Sequence, residues 1–97
     1  MISPDMQKFM LRVYYHYATT SNKSLPYDNV KDIYKSKISF KRAINYLLQC
    51  NFIHKNIIEY NNVEYSLTLS GELLARILCS LPDVPDDYKE VQKKFII

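Results

Sequence analysis

Apolar residues recur at three- and four-residue spacing over several stretches of this chain, and alternate over a shorter one. Met6, Phe9, Met10, Val13, Tyr14 and Tyr17 form one stripe and predict an N-terminal helix. Ser3 or Pro4 opens it, with Asp5 well placed near the helix's positive end. Leu11 and Tyr15 fall off that stripe. A helix apolar on two sides is either deeply buried or touches a second subunit, and in so small a chain the pattern points to the subunit. A polar loop, Thr19 to Ser24, follows. Pro26 to Lys35 reads as a short second helix, with Asp28 as its cap and Val30, Ile33 and Tyr34 inward. Ser36-Lys37-Ile38 reads as a tight turn.

Ser39 then caps a third helix predicted over Phe40 to Cys50, burying Phe40, Ala43, Ile44, Leu47 and Leu48. Asn51 ends it in the left-handed region, where Asn substitutes for Gly. Phe52–Tyr60 is β-rich, Asn61-Asn62 suits a hairpin turn at a wing tip, and Val63, Tyr65 and Leu67 alternate as a half-buried return strand. Thr68 or Ser70 caps a fourth helix with Leu73, Leu74, Ile77, Leu78 and Leu81 on its buried side. Pro82-Asp83-Val84-Pro85 stops it. Asp86–Ile96 reads as a terminal helix, with Val84, Tyr88, Val91 and Phe95 spaced four, three and four apart.

The expected fold class is mainly α with a small β-hairpin wing (α+β). Its order is α-α-α-β-β-α, that of a winged helix-turn-helix, plus the short C-terminal helix. Residues 1–81 form the domain. Residues 82–97 form an extension that packs on it or on a dimer partner.

At 97 residues the chain has room for one modest core. A single Gly and four Pro leave little for loops, and nine Tyr suit core edges and interfaces. The net charge of +3 says little, but its distribution says more. Lys31, Lys35, Lys37, Lys41, Arg42 and Lys55 face Asp32 alone between Asn29 and Ile58, while residues 82–97 are balanced to acidic. That is how a polyanion-facing surface and a separate second surface would be encoded. No secretory leader or membrane span is apparent, so a cytoplasmic protein is expected (in the host cytoplasm if the chain is viral). Cys50 and Cys79 read as two buried small hydrophobes rather than a disulfide.

Ile44-x-x-Leu47-x-x-x-Asn51-Phe52-Ile53 resembles the end of the recognition helix in winged-helix regulators. Tyr65-Ser66-Leu67-Thr68-Leu69-Ser70-Gly71 resembles the segment by which MarR- and PadR-like regulators leave the wing. In its richness in Ile, Lys, Asn and Tyr the chain is also similar to small winged-helix proteins of viruses of hyperthermophilic archaea. The resemblance implies sequence-specific binding of double-stranded DNA by a homodimeric transcriptional regulator, its third helix in the major groove. Two features depart from that pattern: Asn51 stands where Gly is usual, and Glu59 and Glu64 flank a wing without Lys or Arg at its tip.

Lys41, Arg42, Asn45 and Tyr46 are the outer-face residues expected at the bases. Arg42 has the geometry for guanine and Asn45 for adenine, while Lys41 and Tyr46 also reach phosphate or sugar. Lys31, Lys35, Lys37, Ser39 and Lys55 are expected on the DNA backbone. Leu11, Tyr15, Tyr88, Val91 and Phe95 are expected at the dimer interface. The alternative is a protein–protein interaction module that binds no DNA. His16 and His54 have no metal-ligand spacing, and no nucleophile set or phosphate loop is present. Neither an enzyme, a cofactor nor a small-molecule ligand is therefore expected.

Overall fold

The computed structural model describes residues 2–80. The expected terminal helix, with Tyr88, Val91 and Phe95, lies outside them. Helix α1 spans Pro4–Thr20. Ser3 is its cap, its hydroxyl accepting from the Met6 amide at 3.2 Å. Phe9, Met10, Val13 and Tyr14 are buried as the stripe predicts. Leu11 is buried too, inside the chain's own core, and Tyr15 packs half-buried against that core. The expectation that Leu11 faces a second subunit is therefore corrected: the second apolar side of α1 buries it in the chain's own core.

Strand β1, Leu25–Pro26, pairs antiparallel with β3, so a third strand joins the expected hairpin. Pro26 sits on the edge of the sheet, where its missing amide costs no ladder bond. The second helix is not an α-helix. It is two 3-10 turns, Tyr27–Asn29 and Lys31–Ile33, with Val30 between them at φ −127°. The Arg12 guanidinium from α1 donates to the Asn29 carbonyl at 3.1 Å and to Asp32 at 2.7 Å. A continuous α-helix would have satisfied that carbonyl from Ile33, four residues on. Instead the Ile33 amide donates to Val30, and both Val30 and Ile33 are buried. Asp28 caps nothing; its carboxylate lies 3.3 Å from Lys31.

Helix α2 spans Lys37–Gln49 and starts three residues earlier than expected. Ser36 is the cap, its hydroxyl accepting from the Ser39 amide at 3.1 Å. Phe40, Ala43, Ile44 and Leu47 are buried, with Leu48 only half-buried. At its end Asn51 takes φ 60°, its amide donating to Leu48 and the Phe52 amide to Leu47, each at 3.0 Å. That bond pair is a Schellman stop, with Asn doing what Gly usually does.

Strands β2, Ile53–Ile58, and β3, Asn62–Leu67, form the wing in the order β1-β3-β2. The turn is Glu59–Asn61, with Tyr60 at φ 60°. The tip is therefore shifted back by one residue from Asn61-Asn62: Asn62 already pairs with Ile58 inside the ladder. Helix α3, Leu69–Cys79, is capped by Thr68, whose hydroxyl accepts from the Gly71 amide.

Gly71, Ala75, Leu78 and Cys79 form its buried side, while Leu73 and Ile77 point outward with Leu69. Of the expected stripe Leu78 is buried and Leu74 half-buried against the core, Leu73 and Ile77 are corrected, and Leu81 lies outside the described residues. Small residues face inward because the helix approaches closely: a Cβ on Gly71 would lie 1.9 Å from the Phe52 carbonyl oxygen. The two thiols, Cys50 and Cys79, are free.

Candidate nucleic-acid interface

Phe40 fixes where α2 sits. Its ring meets those of Phe9, Tyr27, Tyr34 and Tyr65 edge-on, at centroid distances of 6.3, 5.2, 5.7 and 6.0 Å. Each such contact is worth about 0.5–1.5 kcal/mol beyond its burial. The cluster ties the first turns of α2 to α1, to the 3-10 turns and to the sheet, and it accounts for three of the tyrosines. Burial raises the pKa of the Tyr34 and Tyr65 hydroxyls.

With that side of α2 buried, the opposite side is free. Lys41, Arg42 and Asn45 are exposed there, as expected, and Tyr46 is half-buried. The Tyr46 hydroxyl bonds with the Cys50 thiol one turn on, which raises its pKa. Ile38 and Gln49 complete the same exposed face, with Ile38 67% exposed. On a 100° repeat, Ile38, Lys41, Arg42, Asn45 and Gln49 fall within about 100° of one another. Ile38 joins this face because α2 begins at Lys37 and not, as expected, at Phe40. The signal for that start is Ser36, a cap residue three before Ser39.

Lys31, Lys35 and Lys37 come together although no helix joins the first two. With Tyr27, Tyr34, Ser36 and Phe40 they line one depression of about 210 Å³ beside the start of α2. Lys31 shares its charge with exposed Asp28. Ser39 is exposed, but its amide and hydroxyl both engage Ser36, so the helix start moves to Ser36 and Lys37.

Lys55 joins the face from the sheet. It pairs in register with Tyr65, so it lies on the sheet face that carries Ile53 and Tyr65 toward the core. With Lys41 and Asn45 it lines a groove of about 270 Å³ between α2 and the wing, floored by Phe40, Ile44, Val63 and Tyr65. The wing's far side differs in sign: Asp28 and Glu64 line a depression there with Ile58 and Asn62. At the tip Tyr60 is 93% exposed, beside exposed Ile57, Ile58 and Glu59.

Two ion pairs brace the surroundings. The Arg12 hydrogen bond holds the Asp32 carboxyl below its ordinary pKa. Arg76 and Glu72 pair along α3 at 3.7 Å. Among the described residues no three His, Cys, Asp or Glu side chains gather closely enough to hold a metal ion. No helix among them is long and apolar enough to cross a membrane.

No family model matches this chain, and neither curated proteins nor solved structures include a significant match to it. The fold stands on its own geometry: mainly helical, with a small three-stranded antiparallel sheet, in an α+β, winged-helix-like order.

Proposed function

We propose that this chain binds double-stranded DNA as a transcriptional regulator in the cytoplasm, laying the exposed face of α2 in the major groove. The observation that carries the reading is convergence. Arg42 and Asn45, whose side chains fit guanine and adenine edges, share one face with Ile38, an apolar contact for a thymine methyl. Lys31, Lys35 and Lys37 gather at one end of that face, and Lys41 and Lys55 flank its groove. Such lysines position a domain on phosphates without reading sequence. The wing adds no cation at its tip, so the backbone contacts in this reading come from α2, the turns before it and the foot of β2.

The test is a fluorescence-anisotropy titration with a mixed-sequence labelled duplex at low and near-physiological salt. A loss of affinity by orders of magnitude across that range supports the reading, because neutralised phosphates release counterions. Absence of binding at low salt overturns it.

A second reading, a protein-binding module, draws on the apolar and acidic wing tip formed by Ile57, Ile58, Glu59 and Tyr60. Such a module would leave heparin at low salt, whereas a duplex-binding domain is retained.

A further inference from the structure

Leu69, Leu73 and Ile77 stand one turn apart along the outer side of α3 and are 75%, 51% and 60% exposed. Positions i, i+4 and i+8 overlie one another, so these side chains form one continuous stripe rather than scattered surface residues. The opposite side of the same helix is buried against α1 and β3. An apolar stripe on a helix already packed on its other side marks a contact that something else must make.

The chain itself supplies the complement. Beyond Ser80, Val84, Tyr88, Val91 and Phe95 recur at four, three and four. On a helical repeat these four fall within about 60° of one another. On the same repeat Asp86, Lys89, Glu90 and Lys93 fall on the other side, while Asp87 and Lys94 border the apolar edge, so burying that edge leaves most of the charge in water.

We infer that residues 84–95 of this same chain cover the Leu69, Leu73 and Ile77 stripe, running back along α3 in the opposite direction. The lengths agree: Leu69 to Ile77 spans about 12 Å of helix and Tyr88 to Phe95 about 10 Å. The tether is short, since only Ser80, Leu81, Pro82 and Asp83 separate Cys79 from Val84. Short connections favour antiparallel neighbours. A short tether also gives an effective concentration in the millimolar range, which a second copy matches only at comparable protein concentration. Pro82 and Pro85 bracket the corner and keep α3 from running on.

The test combines sedimentation, proteolysis and NMR on the full chain. The expected result is a monomer in which Leu73 methyls show nuclear Overhauser contacts to the Tyr88 and Phe95 rings. Mixing labelled with unlabelled chains should give no contact between chains. Leu73→Lys should abolish the contacts and speed tryptic cleavage after Lys89 and Lys93 at least tenfold. Leu73 is half-exposed, so that variant keeps the core, and far-UV circular dichroism checks this. Val91→Lys should reproduce the effect from the other side. Contacts found only between chains would assign the stripe to a second copy and overturn the inference. So would the absence of contacts, or unchanged cleavage in both variants.

Discussion

Thr68 reaches back across seventeen residues to Asn51, its hydroxyl donating to the Asn51 carbonyl at 2.6 Å while accepting from the Gly71 amide at 3.0 Å. One side chain thus caps α3 and secures the stop of α2. The Thr68 amide adds a bond to the Phe52 carbonyl at 3.0 Å. That same carbonyl is what Gly71 packs on, so the chain's single glycine is required by close approach rather than by a special φ.

Gly71→Ala should therefore destabilise the domain by about 1–3 kcal/mol, the usual cost of overpacking. Thr68→Val should cost about 1–2 kcal/mol through the lost cap and the lost bond. Urea denaturation measures both. A Gly71→Ala variant as stable as the parent would refute the close approach.

For DNA, Arg42→Ala should weaken binding to a selected site by about 1–3 kcal/mol and relax preference at one base pair. Lys35→Ala should weaken all duplexes alike and lower the salt slope by about one. Ile38→Ser should reduce preference for thymine at one position. Competition titrations with single-base variants separate the three behaviours.

Burial pushes the Cys79 thiol up to about 11 from its ordinary 9.0. The fold thus favours the neutral thiol. Its stabilising contribution is complete below pH 9 and is lost as pH rises toward 11. The buried Tyr14, Tyr34 and Tyr65 hydroxyls, also raised, act in the same sense at higher pH. The urea midpoint should fall between pH 9 and 11, and Cys79→Ala should flatten that fall without removing the part beyond it. At neutral pH a thiol reagent should modify half-exposed Cys50 promptly and Cys79 only on unfolding.

Tyr60 holds φ 60° and ψ 32° at the wing tip, a region that costs a bulky residue about 1–2 kcal/mol. Its side chain is almost fully exposed, so little packing offsets that cost. Tyr60→Asn should leave the melting temperature unchanged or raise it, and Tyr60→Val should lower it. If Tyr60→Asn keeps stability but loses a binding partner, the strained tyrosine serves recognition.

Local signals carried most of this fold into the sequence. The α1 stripe, Asn51 as the stop of α2, the alternation of Val63, Tyr65 and Leu67, and Thr68 as a cap are all written within a few residues. What local signals do not carry depends on distant partners. Pro26 to Lys35 looks helical until Leu25 pairs with Tyr65 and Arg12 takes the Asn29 carbonyl. The rotation of α3 is set by Phe52, nineteen positions before Gly71, so periodicity alone put Leu73 and Ile77 on the wrong side. The lysine cluster was legible as charge, whereas its meeting at one depression was not, because Lys31 and Lys35 are joined by turns rather than by a helix.

The two 3-10 turns have a mechanical consequence. A rigid second helix would dictate the attitude of α2 through its own axis. Here α2 instead hangs from the Phe40 ring at one end and from the Asn51 stop at the other. The span from Tyr27 to Ser36 is clamped by Arg12 and sends Tyr27 and Tyr34 onto that same Phe40 ring. Val30 and Ile33 of that span are buried in the same core as α1, so the attitude of α2 follows from side-chain contacts and not from a second helix axis.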